Sequence, residues 1–266
     1  MNILDTIADR TRERIASEKE KLSFTDIRRA AEEMNRSQCD GQEKTYTFRE
    51  ALAGPGISFI CEVKKASPSK GLIAEDFPYA DIARDYEKAG TSAISILTEP
   101  FYFKGSDQFL EEIRREVKIP LLRKDFTVDP YMIYQAKIMG ADAVLLICSL
   151  LCERELKEYH SLATDLGLSA LVEAHDEAEV SMALNAGAGI IGVNNRNLKD
   201  FSVDVGNSVR LRKMVPPHVV FVSESGMKTR EDIARLEEAG VNAVLIGETL
   251  MRSPDKKRML DELAGR

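Results

Sequence analysis

The chain has 266 residues, 44% hydrophobic and 30% charged, with a formal net charge of −7. Such a composition suits a soluble protein with a sizeable core, and its acidic balance disfavours general binding to nucleic acid or anionic membranes, because a polyanion is repelled at long range. No apolar run is long enough to cross a bilayer, and the charged amino terminus MNILDTIADRTRERIASEKEKL lacks the apolar core and cleavage site of a secretory signal, so a cytoplasmic protein is expected.

Residues 1–56 form an amino-terminal helical extension. Ile3, Leu4, Ile7 and Ile15 make one helical stripe, a polar stretch SQCDGQEK follows, and TFREALAGPG opens with a Thr-x-x-Glu capping box and closes on Gly-Pro-Gly. Such an extension serves either as a plug across the bottom of the following domain or as a lid over its substrate.

From residue 57 the sequence repeats. A helix-like stretch stops at a glycine and a β-branched apolar run follows, in EKAGTSAISIL at 87–97, KIMGADAVLLI at 137–147, LNAGAGIIGVN at 184–194 and EEAGVNAVLIG at 237–247. Between and before these copies lie SFICEVK (58–64), PLLRKDF (120–126), SALVEAH (169–175) and VVFVSES (219–225). Eight short strands, apolar on both faces and separated by helical segments, read as a parallel sheet covered by helices. Residues 57–266 are therefore expected to form a (β/α)8 barrel, giving an α/β protein with a single domain overall; an open doubly wound sheet is the alternative.

In such a barrel, chemistry belongs at the carboxyl ends of the strands. Glu62 and Lys64 share a face of the first strand, inward if Val63 points outward, and Lys124 and Phe126 repeat the device on the third. Glu173 lies in LVEAH, and the sixth strand ends in Asn194-Asn195-Arg196. Buried lysines and glutamates converging at one end shift one another's pKa values and point to acid–base catalysis; a structural ion-pair layer is the plainer reading. SESGM (223–227) and LIGETL (245–250) place Gly226 and Gly247 in the two adjacent loops where barrels commonly hold phosphate. The basic loop KKASPSKG suits an anion-gripping flap, and the aromatics of EPFYFKG, with Phe126, are placed to sandwich a flat ring or to pack on the rim. His160, His175 and His218 lack a nucleophile motif and receive no role. Cys39, Cys61, Cys148 and Cys152 form no CxxC pair and have no His at zinc spacing, so reduced thiols are expected, and no metal or organic cofactor is implied.

EVKKASPSKG, ILTEPFYFKGS, RKDF, LVE, GVNNRNL, SESG and LIGETLM, in this order after a helical extension, resemble the indole-3-glycerol phosphate synthase family over nearly the whole chain. The resemblance implies a cofactor-independent enzyme that closes 1-(2-carboxyphenylamino)-1-deoxyribulose 5-phosphate to an indole with loss of carbon dioxide and water. Carried over by motif, Lys124 is the general acid, with burial expected to keep its proton mobile; Lys64 and Ser67 hold the leaving carboxylate, and Lys64 is a candidate acid for dehydration. Glu173 is the general base, Glu62 orients the lysines, and Asn194 and Arg196 grip the ribulose hydroxyls. Phe103, Phe126, Leu145 and Leu198 wall the aromatic ring, while Ser225, Gly226, Gly247 and the backbone of Glu248 hold phosphate. Glu248 stands where a small Ser is common, and its carboxylate is expected to turn away from that anion. The partner is thus a phosphorylated small molecule, neither nucleic acid nor membrane; the oligomeric state is left open and a monomer is compatible. A Schiff-base aldolase of ketose phosphates and a non-catalytic sugar-phosphate-binding barrel are the competing functions.

Overall fold

The computed structural model describes residues 3–39, 47–197 and 201–266. Among them, strands β1 (Ser58–Val63), β2 (Ala93–Leu97), β3 (Leu121–Lys124), β4 (Ala143–Ile147), β5 (Ser169–Ala174), β6 (Ile190–Asn194), β7 (Val220–Glu224) and β8 (Ala243–Ile246) pair in parallel and in chain order, and β1 closes onto β8. The closed eight-stranded barrel is the expected fold, and each strand lies inside its expected window. The four repeat glycines explain the regularity: Gly90, Gly140, Gly187 and Gly240 all sit at φ between 78° and 85°, the left-handed turn in which a helix ends just before the next strand begins.

Side chains alternate along each strand between two cores. Phe59, Cys61 and Val63 of β1, Ile94 and Ile96 of β2 and Val244 and Ile246 of β8 face the surrounding helices, whereas Ile60, Ala93, Leu122, Leu171, Val222 and Leu245 fill the barrel interior. With Val63 outward, Glu62 faces inward, as alternation requires. The outer helices are α4 (Tyr79–Lys88), α5 (Asp107–Glu116), α6 (Tyr131–Ile138), α7 (Glu153–Asp165), α8 (Glu177–Asn185), α9 (Gly206–Arg212), α10 (Arg230–Glu238), α11 (Glu248–Arg252) and α12 (Lys256–Ala264). Among the described residues no helix is long and apolar enough to cross a membrane.

Three helices precede β1: α1 (Ile3–Lys21), α2 (Phe24–Cys39) and α3 (Phe48–Leu52). This segment reaches both ends of the barrel. Phe48 and Leu52 of α3, fully buried, pack with Ile60, Ala93, Val220 and Ala243 at the amino-terminal end of the barrel, and Arg49 donates to the carbonyl of His218 at 2.8 Å. α3 starts at the expected capping box, Thr47 Oγ1 accepting from the Glu50 N–H and Glu50 returning a bond to the Thr47 N–H. At the opposite end Ile3, Leu4 and Ile7 of α1 roof the cavity at the strands' carboxyl ends. Arg14 fastens α1 there, its guanidinium 2.8 Å from Asp125 just past β3, and Lys19 lies 2.6 Å from Asp129. Cys61 and Cys148 are buried free thiols and Cys152 an exposed one; the side chain of Cys39 lies outside the described residues.

Candidate active site

The inward alternation that fills the lower barrel with Ile60, Leu122, Leu171 and Val222 places Glu62, Lys124, Glu173 and Glu224 one step higher on β1, β3, β5 and β7. The three glutamates are 4%, 2% and 2% exposed, so this layer is charged yet almost dry. Lys124 Nζ stands at its centre, 3.1 Å from Glu173 Oε2 and 3.4 Å from Glu224 Oε2. Lys64, beyond the end of β1, bonds Glu62 Oε1. Two glycines make room: a Cβ on Gly192 would collide with the Glu224 carboxylate, and one on Gly247 with Glu62 and Lys64.

Burial alone would depress Lys124, but the charges of Glu173, Glu224 and Glu62 outweigh it and hold the ammonium pKa above its ordinary value. This corrects the expectation that burial leaves the proton mobile: the surrounding carboxylates favour the ammonium form of Lys124. Burial pushes Glu224 up to about 7, with repulsion from Glu173 and Glu62 adding to it and Lys124 opposing. For Glu173 burial acts upward too, but the charges of Lys124 and His175 and the hydrogen bonds from Lys124 and Asn194 prevail and hold it below the usual range. Two neighbouring carboxylates thus have pKa values driven apart, the arrangement by which one site holds both an acid and a base.

The cluster floors a cavity of about 540 Å³ roofed by α1. Lys124, Glu173, Lys64, Glu62, Ser67, Phe103, Phe126, Leu145, Asn194, Arg196, Ser225, Gly226, Gly247 and Glu248 all line it; Leu198 lies outside the described residues. Asn194 donates to Glu173 Oε1 at 3.3 Å, on the carboxylate oxygen that Lys124 leaves free. Ser67 is held in a two-residue ribbon, Ala66–Ser67 against Gly71–Leu72, so the basic loop has a defined shape over the cavity. Of the two readings of the aromatics, the pair Phe103 and Phe126 fits packing against each other: their centroids are 6.0 Å apart at 40°, the separation of rings in contact, which leaves no space for a third ring between them. They form one wall, and Leu145 stands on the inner face of β4.

The rim past β7 is strained as well as open. Ser225 has φ 66° and Gly226 φ 101°, and the Ser225 carbonyl is held by Asn195 Nδ2 at 3.0 Å. Asn195 also bonds Ser223 and Ser208 and is a fastener of this turn rather than a ligand. The Glu248 carboxylate is engaged by Arg252 Nε at 3.1 Å and lies 3.8 Å from Lys70 Nζ of the basic loop.

Glu224, which lines the cavity, and Glu99, which shapes the loop beside it, lie outside the sequence reading. Glu224 was hidden because SESGM draws attention to its glycine, although strand alternation from Val222 marks it as inward. Glu99 shapes the aromatic loop: fully buried, its carboxylate accepts the N–H groups of Phe101, Tyr102 and Phe103 at 2.7–2.9 Å, leaving Phe101 exposed and Phe103 over the cavity.

Fold and site together define an α/β-barrel enzyme of acid–base chemistry on a small anionic substrate bound at the strands' carboxyl ends. The sequence profile of indole-3-glycerol phosphate synthase matches residues 4–263. The chain is 55% identical over 264 residues to the indole-3-glycerol phosphate synthase of Ruminiclostridium cellulolyticum, covering 99% of each, and 50% identical over 266 residues to that of Lachnoclostridium phytofermentans, covering 98% of each. It belongs to this family of decarboxylating, dehydrating, ring-closing lyases of tryptophan biosynthesis. More distant barrels share the fold alone, among them an N-acetylmannosamine-6-phosphate 2-epimerase from Clostridium perfringens, at 14% identity and TM-score 0.62 over 80% of this chain and 94% of that one.

Proposed function

We propose that the Lys124–Glu173–Glu224–Glu62 cluster carries ring closure of 1-(2-carboxyphenylamino)-1-deoxyribulose 5-phosphate by general acid–base catalysis, with Lys124 as the acid at the ketose oxygen. The observation that carries this is Lys124 Nζ set among three buried carboxylates, 3.1 Å from Glu173 and 3.4 Å from Glu224 with Glu62 beside them. A lysine held as the ammonium carries the proton a general acid needs and has no free lone pair to attack a carbonyl, which favours acid catalysis over a Schiff-base aldolase.

The substrate's aromatic ring rests against the wall of Phe103, Phe126 and Leu145, under α1. Its carboxylate meets Lys64 and Ser67 from the basic loop. Asn194 and Arg196 address the ribulose hydroxyls, and the phosphate sits at the turn of Ser225 and Gly226 and at the backbone of Gly247 and Glu248, at the start of α11. As the carboxyl-bearing ring carbon attacks the ketose carbon, Lys124 protonates the oxygen. Carbon dioxide leaves with its electrons accepted by the ring, restoring aromaticity. Lys64 then protonates the departing hydroxyl while Glu173 takes the proton whose loss completes the indole. Glu62 holds Lys64, and Glu224 shares Lys124 with Glu173. The partner is this phosphorylated small molecule and the expected compartment is the cytoplasm.

Borohydride trapping tests the assignment. With substrate present, the protein should gain no reduced adduct while indole forms; a stable substrate adduct on Lys124 or Lys64 would overturn the acid role in favour of the aldolase.

A further inference from the structure

His175 follows Glu173 by two residues at the end of β5. Its Nδ1 lies 3.1 Å from Glu179 Oε2, the same oxygen that accepts the His175 backbone N–H at 2.8 Å, so α8 fixes the ring. Its Nε2 lies 3.6 Å from Glu173 Oε1, beyond hydrogen-bond length but within ion-pair range, and is buried with no hydrogen-bond partner. Lys124 occupies the other oxygen of Glu173, so His175 faces the Oε1 that also accepts from Asn194 Nδ2 at 3.3 Å.

We propose that His175 is a positioning residue for the general base, its ring suspended between Glu179 and Glu173 so that the cationic imidazolium keeps Glu173 Oε1 ionised and oriented. The proposal rests on the reading of Glu173 as base. With Nδ1–H donated to Glu179, a neutral ring would aim the Nε2 lone pair at a carboxylate; a protonated ring presents a donor to each. The surroundings favour the charged form. Glu173 on β5, Glu179 on α8 and Glu224 on β7 face the ring, and Asp176, Asp204, Arg196 and Arg210 line with it a second cavity of about 540 Å³. Burial would lower its pKa, but the carboxylates overcome that and raise it. The second cavity opens on His175, Glu179 and Asn194.

The test is the pH dependence of kcat/KM in His175→Asn and Glu179→Gln. An opposite charge at this range lowers a carboxylate pKa by about one unit or more. Losing it should move the acid limb up by about one unit in His175→Asn and less, in the same direction, in Glu179→Gln, with KM unchanged and turnover approaching the parent at high pH. Profiles that superimpose after uniform scaling would overturn the proposal. Glu179→Gln leaves the barrel interior intact and decides the matter should His175→Asn not fold. With three histidines in the chain, NMR titration adds a direct readout: His175 should titrate above the ordinary value, and titration below it would also overturn the proposal. Glu173→Gln separates the two claims. Retained turnover there refutes Glu173 as base, whereas lost turnover with parent-like profiles in the other variants refutes only the role of His175.

Discussion

Lys124→Met removes the ammonium but keeps the side chain's length, leaving Glu173 and Glu224 without the cation now 3.1 and 3.4 Å away. Breaking a buried ion pair by deleting one partner costs about 3–5 kcal/mol. The cost is pH-dependent. Glu224 already sits near 7 and should rise further in the variant, and Glu173, held below the usual range by Lys124, should rise from there. A carboxylate raised above its unfolded value contributes stability that is present below the unfolded pKa and lost as pH climbs through the folded one. The variant should therefore unfold close to the parent at pH 5, where its carboxylates are protonated, and roughly 6–10 °C lower at pH 8, taking about 2 °C per kcal/mol for a chain of this size. Differential scanning calorimetry at both pH values is the assay. An equal Tm deficit at pH 5 and pH 8, or none at either, would refute the description of the cluster as carboxylates held by one shared cation.

Other expectations follow from the same geometry. Glu224→Gln removes a group that titrates near 7, so its stability relative to the parent should increase between pH 6 and pH 8, as followed by urea unfolding at each pH. Ser67→Ala should raise KM several-fold with little change in kcat, because the proposed function has Ser67 meeting the carboxylate that substrate carries in the ground state; steady-state kinetics separates the two. Arg14→Ala strands the Asp125 carboxylate, which keeps Thr98 Oγ1 at 2.8 Å and Arg123 at 3.6 Å, so the loss should be about 2–3 kcal/mol, below the full cost of a broken pair, and partly recovered by Asp125→Asn.

The barrel was legible because each βα unit ends a helix at a left-handed glycine and starts an apolar strand within a few residues, a local signal needing no tertiary contact. Lys64, Glu62, Lys124 and Glu173 were legible because strand alternation and the barrel's polarity of function place them. What escaped depends on contacts across the barrel. Whether Lys124 is raised or lowered turns on three carboxylates from other strands. Ile3, Leu4 and Ile7 show an apolar stripe but not which end of the barrel it covers. Phe103 and Phe126 show two rings but not their separation. His175 looked idle in sequence because Glu179, one helical turn on, orients it through a hydrogen bond between their side chains.

The chain contains no tryptophan, so new indole fluorescence cannot be confused with protein emission. Mixing the protein with 1-(2-carboxyphenylamino)-1-deoxyribulose 5-phosphate and recording indole emission with time, beside Lys124→Ala as control, tests the central claim most directly. The account predicts a rise in the parent and a loss of at least about 100-fold in the variant, the scale of a positioned general acid. A comparable rise in both would remove Lys124 from the chemistry.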